Sequence, residues 1–281
     1  MKDIKRRIKS VGSTRQITKA MQLVASSKLR KAKTRAERAR PYFNELYRSM
    51  CEIASANTDF STVFTEKRVV KHRLFIVIAG DRGLAGGYNT NVLKLACAEH
   101  ENDAEKPKII AIGRKAGEYF SKHGYDVVAS FSAVAESIKP NQAQDIADIA
   151  IELFRRGEID EVMIFYTMFI SSLSQEAQSM KVLPMETQHV KGTEEIGAMT
   201  YDPSPEAVFN RIVPRYTASL IMCAIVESFA SEQGARRTAM ESATDNADAM
   251  TESLSLLYNR ARQASITTEI IDIVSGASVQ E

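Results

Sequence analysis

The sequence has 281 residues, of which 44% are hydrophobic and 26% are charged, and its formal net charge is +2. This balance is typical of a folded globular chain and excludes an intrinsically disordered protein. The three cysteines form no C-x-x-C pair, so the sequence predicts neither a disulfide framework nor a zinc site. No apolar run is long enough to cross a bilayer, and the opening MKDIKRRIKS does not resemble a signal peptide.

Positive charge is concentrated at the amino terminus. Residues 1–40 contain 14 Lys and Arg but only two acidic residues, a formal balance of +12 against +2 for the whole chain. Such a segment suits a negative partner, which is a nucleic acid, an anionic membrane surface or an acidic protein. A solvated helix face with no partner is the fourth interpretation of the same pattern.

The first predicted element is one long helix within a segment of residues 1–57. Small or apolar residues recur from Ala25 to Ile53 with spacings that alternate between four and three, which is the heptad pattern of a coiled coil. Pro41 lies inside this pattern. We expect a kink near Arg38 and not a break, because the heptad continues beyond the proline.

The middle of the chain, about residues 70–195, has the pattern of an α/β domain. Short apolar runs predict buried parallel strands, and helix-like segments separate them. The predicted strands are 73–80, 108–113 and 162–169, with a further strand in 179–186. The predicted helices are 89–100, 114–123 and 141–156.

The last segment, residues 204–281, predicts a second long helix with another heptad pattern, from Met240 to Ile271. The simplest arrangement pairs the two terminal helices as an antiparallel coiled coil, for instance Ala25–Ile53 against Ala239–Ile271. Self-association of either helix is the alternative. The predicted fold class is therefore α plus α/β, with a Rossmann-like domain inserted between the two strands of a long antiparallel coiled coil.

Candidate chemistry is sparse. The loop GDRGLAGGYN at residues 80–89 follows a strand, but its glycines match neither G-x-G-x-x-G nor a P-loop, so a tight turn or docking loop is favoured over a phosphate site. The four histidines lack metal-ligand spacing, and no serine lies in a G-x-S-x-G motif. The sequence predicts no catalytic residue, no cofactor site and no metal site.

Three stretches carry a resemblance to a known family. They are IKRRIKSVGSTRQITKAMQLVASSKLRKA near the amino terminus, the loop DRGLAGGYN, and the carboxyl-terminal runs ASEQGARRTAMESATDNA and LYNRARQASITTEIIDIVSGA. Together they resemble the gamma subunit of F-type ATP synthases, in the family's order and at the family's length. The family often has cysteine where this chain has Ala85, and the plant chloroplast form carries an inserted regulatory cysteine pair that this chain lacks.

The resemblance implies a non-catalytic rotor shaft that couples ion-driven rotation of a membrane ring to ATP synthesis or hydrolysis. The implied partners are the alpha and beta subunits of the catalytic ring, the epsilon subunit and the membrane c-ring. Nucleic acid is not among them. A nucleic-acid-binding coiled coil that uses the basic amino terminus remains the alternative. The implied location is peripheral, on the cytoplasmic face of the cell membrane, and the absence of a transit peptide favours a bacterial-type protein.

The same resemblance implies two groups of contact residues. The first is a rotor–stator contact with an acidic loop of a beta subunit, and it comprises Met21, Arg262, Gln263 and Thr267. The second is a docking site for the membrane ring and the epsilon subunit, and it comprises Tyr42, Tyr201 and Asp202. The last residues, from Ile270 to Val279, are expected to lie in an apolar sleeve of the catalytic ring.

Overall fold

The computed structural model describes residues 1–55, 62–66, 68–101, 103, 105–185 and 201–278. These residues form two compact units. The first unit contains residues 1–25 and 236–281, and the second contains residues 26–235. Both long helices contribute one part of their length to each unit.

Five helices are present in the described residues, and two of them are much longer than the others. Pro41 lies inside the first and Pro214 inside the last, and both helices continue through their proline as one element. The terminal helices are therefore continuous, as the heptad patterns predict. The helices are α1 (Lys2–Ser55), α2 (Tyr88–Glu99), α3 (Arg114–Lys122), α4 (Pro140–Arg155) and α5 (Pro205–Ser278).

The second unit contains a five-stranded mixed sheet with the order β3-β2-β1-β4-β5. The first four strands are parallel, and β5 is antiparallel to β4. The predicted parallel strands 73–80, 108–113 and 162–169 are confirmed, and the further strand predicted in 179–186 overlaps β5, whose antiparallel direction was not predicted. The strands are β1 (Arg73–Ile78), β2 (Lys108–Ile112), β3 (Val127–Phe131), β4 (Glu161–Phe169) and β5 (Gln175–Leu183).

The two faces of this sheet bury different partners. In β1 the side chains of Leu74, Ile76 and Ile78 join one apolar cluster with residues of α1, α4 and α5, whereas Phe75 and Val77 join a second cluster with α2 and α3. Alternate strand residues point to opposite faces, so a strand that is covered on both sides reads as a continuous apolar run. The second unit is thus a three-layer α/β domain that includes parts of the long helices.

The first unit is an antiparallel pair of helices. Arg15 pairs with Asp248, and Thr18 contacts Thr244 one turn earlier along α5. Ala25 and Ala247 are buried in this unit. Small side chains allow two helix backbones to approach closely, which suits the alanine-rich pattern of the sequence.

The pairing register differs from the expected pairing of Ala25–Ile53 with Ala239–Ile271. Within the second unit, Leu29 and Ile53 belong to the cluster that contains Phe209 and Ala230 of α5, not residues beyond 239. In the first unit, residues 15–18 of α1 lie opposite residues 244–248. A heptad pattern specifies which face of a helix is buried but not which part of a partner helix lies opposite, so the expected register was wrong while the antiparallel arrangement was right.

One 18-residue window of α5 has a mean hydropathy of 1.3, which is high enough for a membrane-spanning helix by composition. In the structure 61% of that window is buried inside the protein. The apolar character of this stretch therefore matches its place in the core of the second unit.

Candidate functional site

The glycine-rich loop after β1 is closed by its own hydrogen bonds. The Asn89 side chain accepts the Gly80 N–H at 2.8 Å and donates to the Arg82 carbonyl at 3.2 Å. The Asp81 carboxylate accepts N–H groups from Arg114, the first residue of α3, and from Ala133, at 3.0 and 3.1 Å. A helix amino terminus is a ready site for an anion, and here a carboxylate of the chain itself occupies the start of α3.

The place where a nucleotide would bind in such a sheet is also filled. In an open parallel sheet, ligands bind at the carboxyl ends of the strands where the strand order reverses, which in this sheet is between β1 and β4. A Cβ atom added to Gly80, just beyond β1, would lie 3.1 Å from the Glu232 carboxylate of α5. Ser228 and Ser231 of α5 bond to Thr167 of β4 in the same crevice. The expectation of a turn or docking loop in place of a phosphate site fits this geometry.

The predicted rotor–stator residues on α5 lie on the surface of the first unit. Arg262, Gln263 and Thr267 are exposed, and the Thr267 hydroxyl donates to the Gln263 carbonyl at 2.9 Å. In the register of the first unit, Met1 falls opposite Arg262, because Arg15 lies opposite Asp248. Beyond this point, within the described residues, α5 has no α1 residue left to pair with. The three side chains thus lie where the pairing of α1 with α5 ends and α5 continues alone.

Met21 does not lie beside those residues. It is half-buried on α1, close to the level of Thr18 and Thr244. Arg262 lies 18 residues beyond Thr244, which corresponds to about 27 Å along a helix at 1.5 Å per residue. The structure therefore places Met21 and the α5 group at two different levels of the first unit, and the contact of either with a beta subunit stays a prediction.

The end of α5 presents an apolar surface. Ile266, Ile270 and Ile271 are 47%, 55% and 59% exposed. Large aliphatic side chains at such exposure on consecutive turns are typical of a surface that another protein covers. Residues 273–278 belong to α5, and the remainder of the expected sleeve segment, to Val279, lies partly outside the described residues.

The predicted docking residues of the second unit lie in two places. Tyr42 is 58% exposed and lines a groove of about 370 Å³ between α1, α4 and α5, together with Pro140, Arg215 and Met222. Tyr201 is half-buried against the core cluster, next to the exposed Asp202 in the segment before α5, and it does not line the groove. The groove itself was not predicted, because its walls come from three segments far apart in the sequence.

An aromatic contact joins α1 and α5 in the second unit. The rings of Tyr47 and Tyr216 stack with their centroids 6.0 Å apart. Burial raises the pKa of Tyr216 well above its usual value, so its hydroxyl stays protonated in any ordinary buffer. No group of three or more His, Cys, Asp or Glu side chains arranged to hold a metal occurs in the part of the chain that the structure describes.

Comparisons with known proteins identify the family. A family model described as ATP synthase matches residues 1–279. The ATP synthase gamma chain of Ruminococcus albus is 54% identical over 281 residues, which cover 99% of this chain and 97% of the relative. These matches support a role in ATP synthase and not the nucleic-acid-binding alternative.

Solved structures agree with the sequence comparison. A chain from the central stalk and c-ring of the Tetrahymena thermophila mitochondrial ATP synthase has a TM-score of 0.63 and 25% identity, covering 81% of this chain and 99% of that chain. A chain of the Euglena gracilis mitochondrial ATP synthase has a TM-score of 0.71 at 18% identity, with 99% and 94% covered, which shows the shared fold. Two long terminal helices around a five-stranded α/β domain, matched over nearly the whole length by sequence and by fold, place the protein in the family of ATP synthase gamma chains.

Proposed function

We propose that this chain is the non-catalytic rotor shaft of an F-type ATP synthase, turning inside a ring of alpha and beta subunits. The observation that carries the proposal is the end of α5, where Arg262 and Gln263 stand exposed at the start of a single helix whose apolar side chains are also exposed. A shaft that turns inside a sleeve needs a narrow, apolar tip with few polar contacts. The chain supplies no acid, base or nucleophile to the reaction, and the catalytic sites belong to the ring.

Residues at two different heights along the helices of the first unit contact the stator. Arg262, Gln263 and Thr267 meet an acidic loop of a beta subunit, and Met21 meets the stator at a separate level about 27 Å lower along the helices. A guanidinium pairs with a carboxylate through two parallel hydrogen bonds, and an exposed pair of this kind is weak enough to release at the next rotational position.

The second unit docks onto the membrane c-ring and the epsilon subunit. Tyr42 offers an exposed aromatic ring beside a groove, and Asp202 offers an exposed carboxylate beside Tyr201. Aromatic side chains at the edge of a pocket are the usual anchors of a protein interface. In this assembly the chain lies on the cytoplasmic face of the cell membrane as a peripheral component.

The test is assembly of a catalytic complex. The chain is mixed with the alpha and beta subunits of the same source, and the product is weighed by native mass spectrometry while its ATPase activity is measured. We expect one copy of this chain in each complex and sustained hydrolysis that the separate components lack. A complex of alpha and beta that excludes this chain, together with salt-sensitive binding of the chain to DNA, would reject the proposal in favour of the nucleic-acid alternative.

A further inference from the structure

The neighbouring strands β1 and β4 differ in length. β1 ends at Ile78, and its last pair with β4 is Val77 with Phe165, yet β4 continues to Phe169. On its other side β4 stays paired with β5, where Thr167 lies opposite Ala177. The edge of β4 that faces β1 is therefore left without a strand partner around Thr167. Buried main-chain groups at such an edge require other partners.

Helix α5 provides both partners. The Ser228 hydroxyl oxygen accepts the Thr167 N–H at 3.0 Å, and the Ser231 hydroxyl donates to the Thr167 carbonyl at 2.9 Å. Both serines are 0% exposed, and they are three residues apart, so they lie on one face of the helix. These three residues, Thr167, Ser228 and Ser231, are called the serine clasp below.

Two glycines allow α5 to come this close to the sheet. A Cβ atom on Gly80 would lie 3.1 Å from the Glu232 carboxylate. A Cβ atom on Gly234 would lie 3.2 Å from the Gln175 amide nitrogen and 3.3 Å from the Phe169 ring. The helix is thus held against the ends of β1, β4 and β5 within two turns, and the serine clasp lies at the amino-terminal end of that contact.

We propose that the serine clasp is the torque-bearing joint between the α/β domain and helix α5, and this inference rests on the proposed function. Apolar packing is not directional, so a helix held only by apolar contacts can roll or slide over a sheet. Hydrogen bonds weaken steeply when their angle or length changes, and here any rotation of α5 would leave a buried N–H and a buried carbonyl without partners. The serine clasp therefore fixes both the rotation and the axial position of α5, and it passes the turning force from the domain to the shaft.

The experiment measures stiffness in the assembled rotary complex. The catalytic ring is fixed to a surface, and a gold rod is attached to the α/β domain through Lys122→Cys, an exposed position on α3. The angular variance of the rod during a catalytic pause reports the torsional stiffness between domain and shaft. Ion pumping per ATP hydrolysed is measured in parallel with the complete enzyme in vesicles.

The test variant is Ser228→Ala with Ser231→Ala. The matched control is Ser255→Ala, whose hydroxyl donates at 2.7 Å to Thr251 of its own helix.

We expect the double variant to show a larger angular variance and less ion pumping per ATP, while the control behaves as the wild type. Wild-type angular variance and wild-type ion pumping in an assembled double variant would overturn the inference. The two serines would then only fill the crevice between α5 and the sheet. If the double variant fails to assemble, the single variants decide by the same readouts, with raised variance in support and wild-type variance against. Failure of the wild-type chain to assemble or rotate would instead reject the proposed function.

Discussion

The Thr18 and Thr244 hydroxyl oxygens lie 2.8 Å apart in the buried contact between the two helices of the first unit. Each threonine hydroxyl can also donate to a main-chain carbonyl of its own helix. The Thr18 hydroxyl lies 3.0 Å from the Arg15 carbonyl oxygen, and the Thr244 hydroxyl lies 2.8 Å from the Met240 carbonyl oxygen. If the Thr244 hydroxyl donates to the Met240 carbonyl, the Thr18 hydroxyl can donate to the Thr244 oxygen and connect the two helices. This polar contact fixes the register of an otherwise alanine-rich pairing.

The paired threonines give a double-mutant cycle. Replacing one of them with valine is expected to lower the free energy of unfolding by about 1 kcal/mol, because a buried hydroxyl loses its cross-helix partner. Replacing both should cost less than the sum of the single changes, since two valines of the same shape leave no unpaired hydroxyl. Urea titration of Thr18→Val, Thr244→Val and the double variant measures the coupling. Strictly additive costs would show that the two hydroxyls do not interact.

Gly113, between β2 and α3, is predicted to be irreplaceable. Its φ of +91° is a conformation that side chains rarely adopt, and an added Cβ would lie 2.0 Å from the Ala79 carbonyl oxygen. Gly113→Ala should therefore lower the free energy of unfolding by at least about 2 kcal/mol, because the backbone strain and the steric overlap each cost about 1–3 kcal/mol. Gly83→Ala in the same unit is the control, because a Cβ there meets no atom within 4 Å and should leave stability unchanged or slightly higher. Equal urea concentrations at the midpoint of unfolding for the two variants would show that Gly113 is not required at this position.

Asp160 links the start of β4 to the segment before β1. Desolvation raises the pKa of its carboxyl, but hydrogen bonds from the His72 and Lys71 N–H groups, each 3.0 Å long, and charge interactions with the His72 and Arg68 side chains together lower the pKa below the usual value. Asp160→Ala should cost about 1–2 kcal/mol at neutral pH, because two N–H groups lose a charged acceptor.

The contribution of Asp160 has a definite pH dependence. A carboxyl whose pKa is lowered by folding stabilises the protein above its unfolded pKa, about 3.9, and that stabilisation is lost as the pH falls through the folded pKa. The difference in unfolding free energy between wild type and Asp160→Ala should therefore be constant from pH 7 to pH 5 and shrink below about pH 4. A difference that stays the same at pH 3 would mean that the carboxylate charge has no role.

Arg262 and Gln263 are expected to affect turnover and not stability. Their combined replacement by alanine should slow ATP hydrolysis and synthesis in the assembled complex, while the chain alone loses less than about 1 kcal/mol, because both side chains are exposed. Arg211→Ala is the control, since it removes an exposed guanidinium from the other end of the same helix. Wild-type rates in the double variant would remove both residues from the mechanism.

Apolar patterns in the sequence predict most of the fold. The helices and the three central parallel strands lie within a few residues of their expected bounds, because each buries a continuous or periodic apolar face. β3, Val127–Phe131, was missed, since it is a partly exposed edge strand without a continuous apolar run. The polar first half of β5 was missed for the same reason, because QEAQS belongs to an edge strand and its residues are only half-buried or exposed.

The register and the polar contacts of α5 could not be predicted from the sequence. A heptad pattern identifies a buried face but does not say which residues of α1 lie opposite, so the levels of Met21 and Arg262 became clear only from the pairing of Arg15 with Asp248. Ser228 and Ser231 look like ordinary polar positions in ESFASEQG. Their role depends on Thr167, a residue about 60 positions earlier, which lies at a strand edge that only the folded sheet defines.

Rotation of this chain inside the catalytic ring is the property that most directly distinguishes a rotor shaft from a static subunit. The catalytic ring of alpha and beta subunits is fixed to a surface, a gold rod is attached to this chain through Lys122→Cys, and ATP is added. We expect the rod to turn stepwise in one direction, at a rate that follows the ATP concentration. A complex that hydrolyses ATP while a rod fixed to this chain shows only random fluctuation would contradict it.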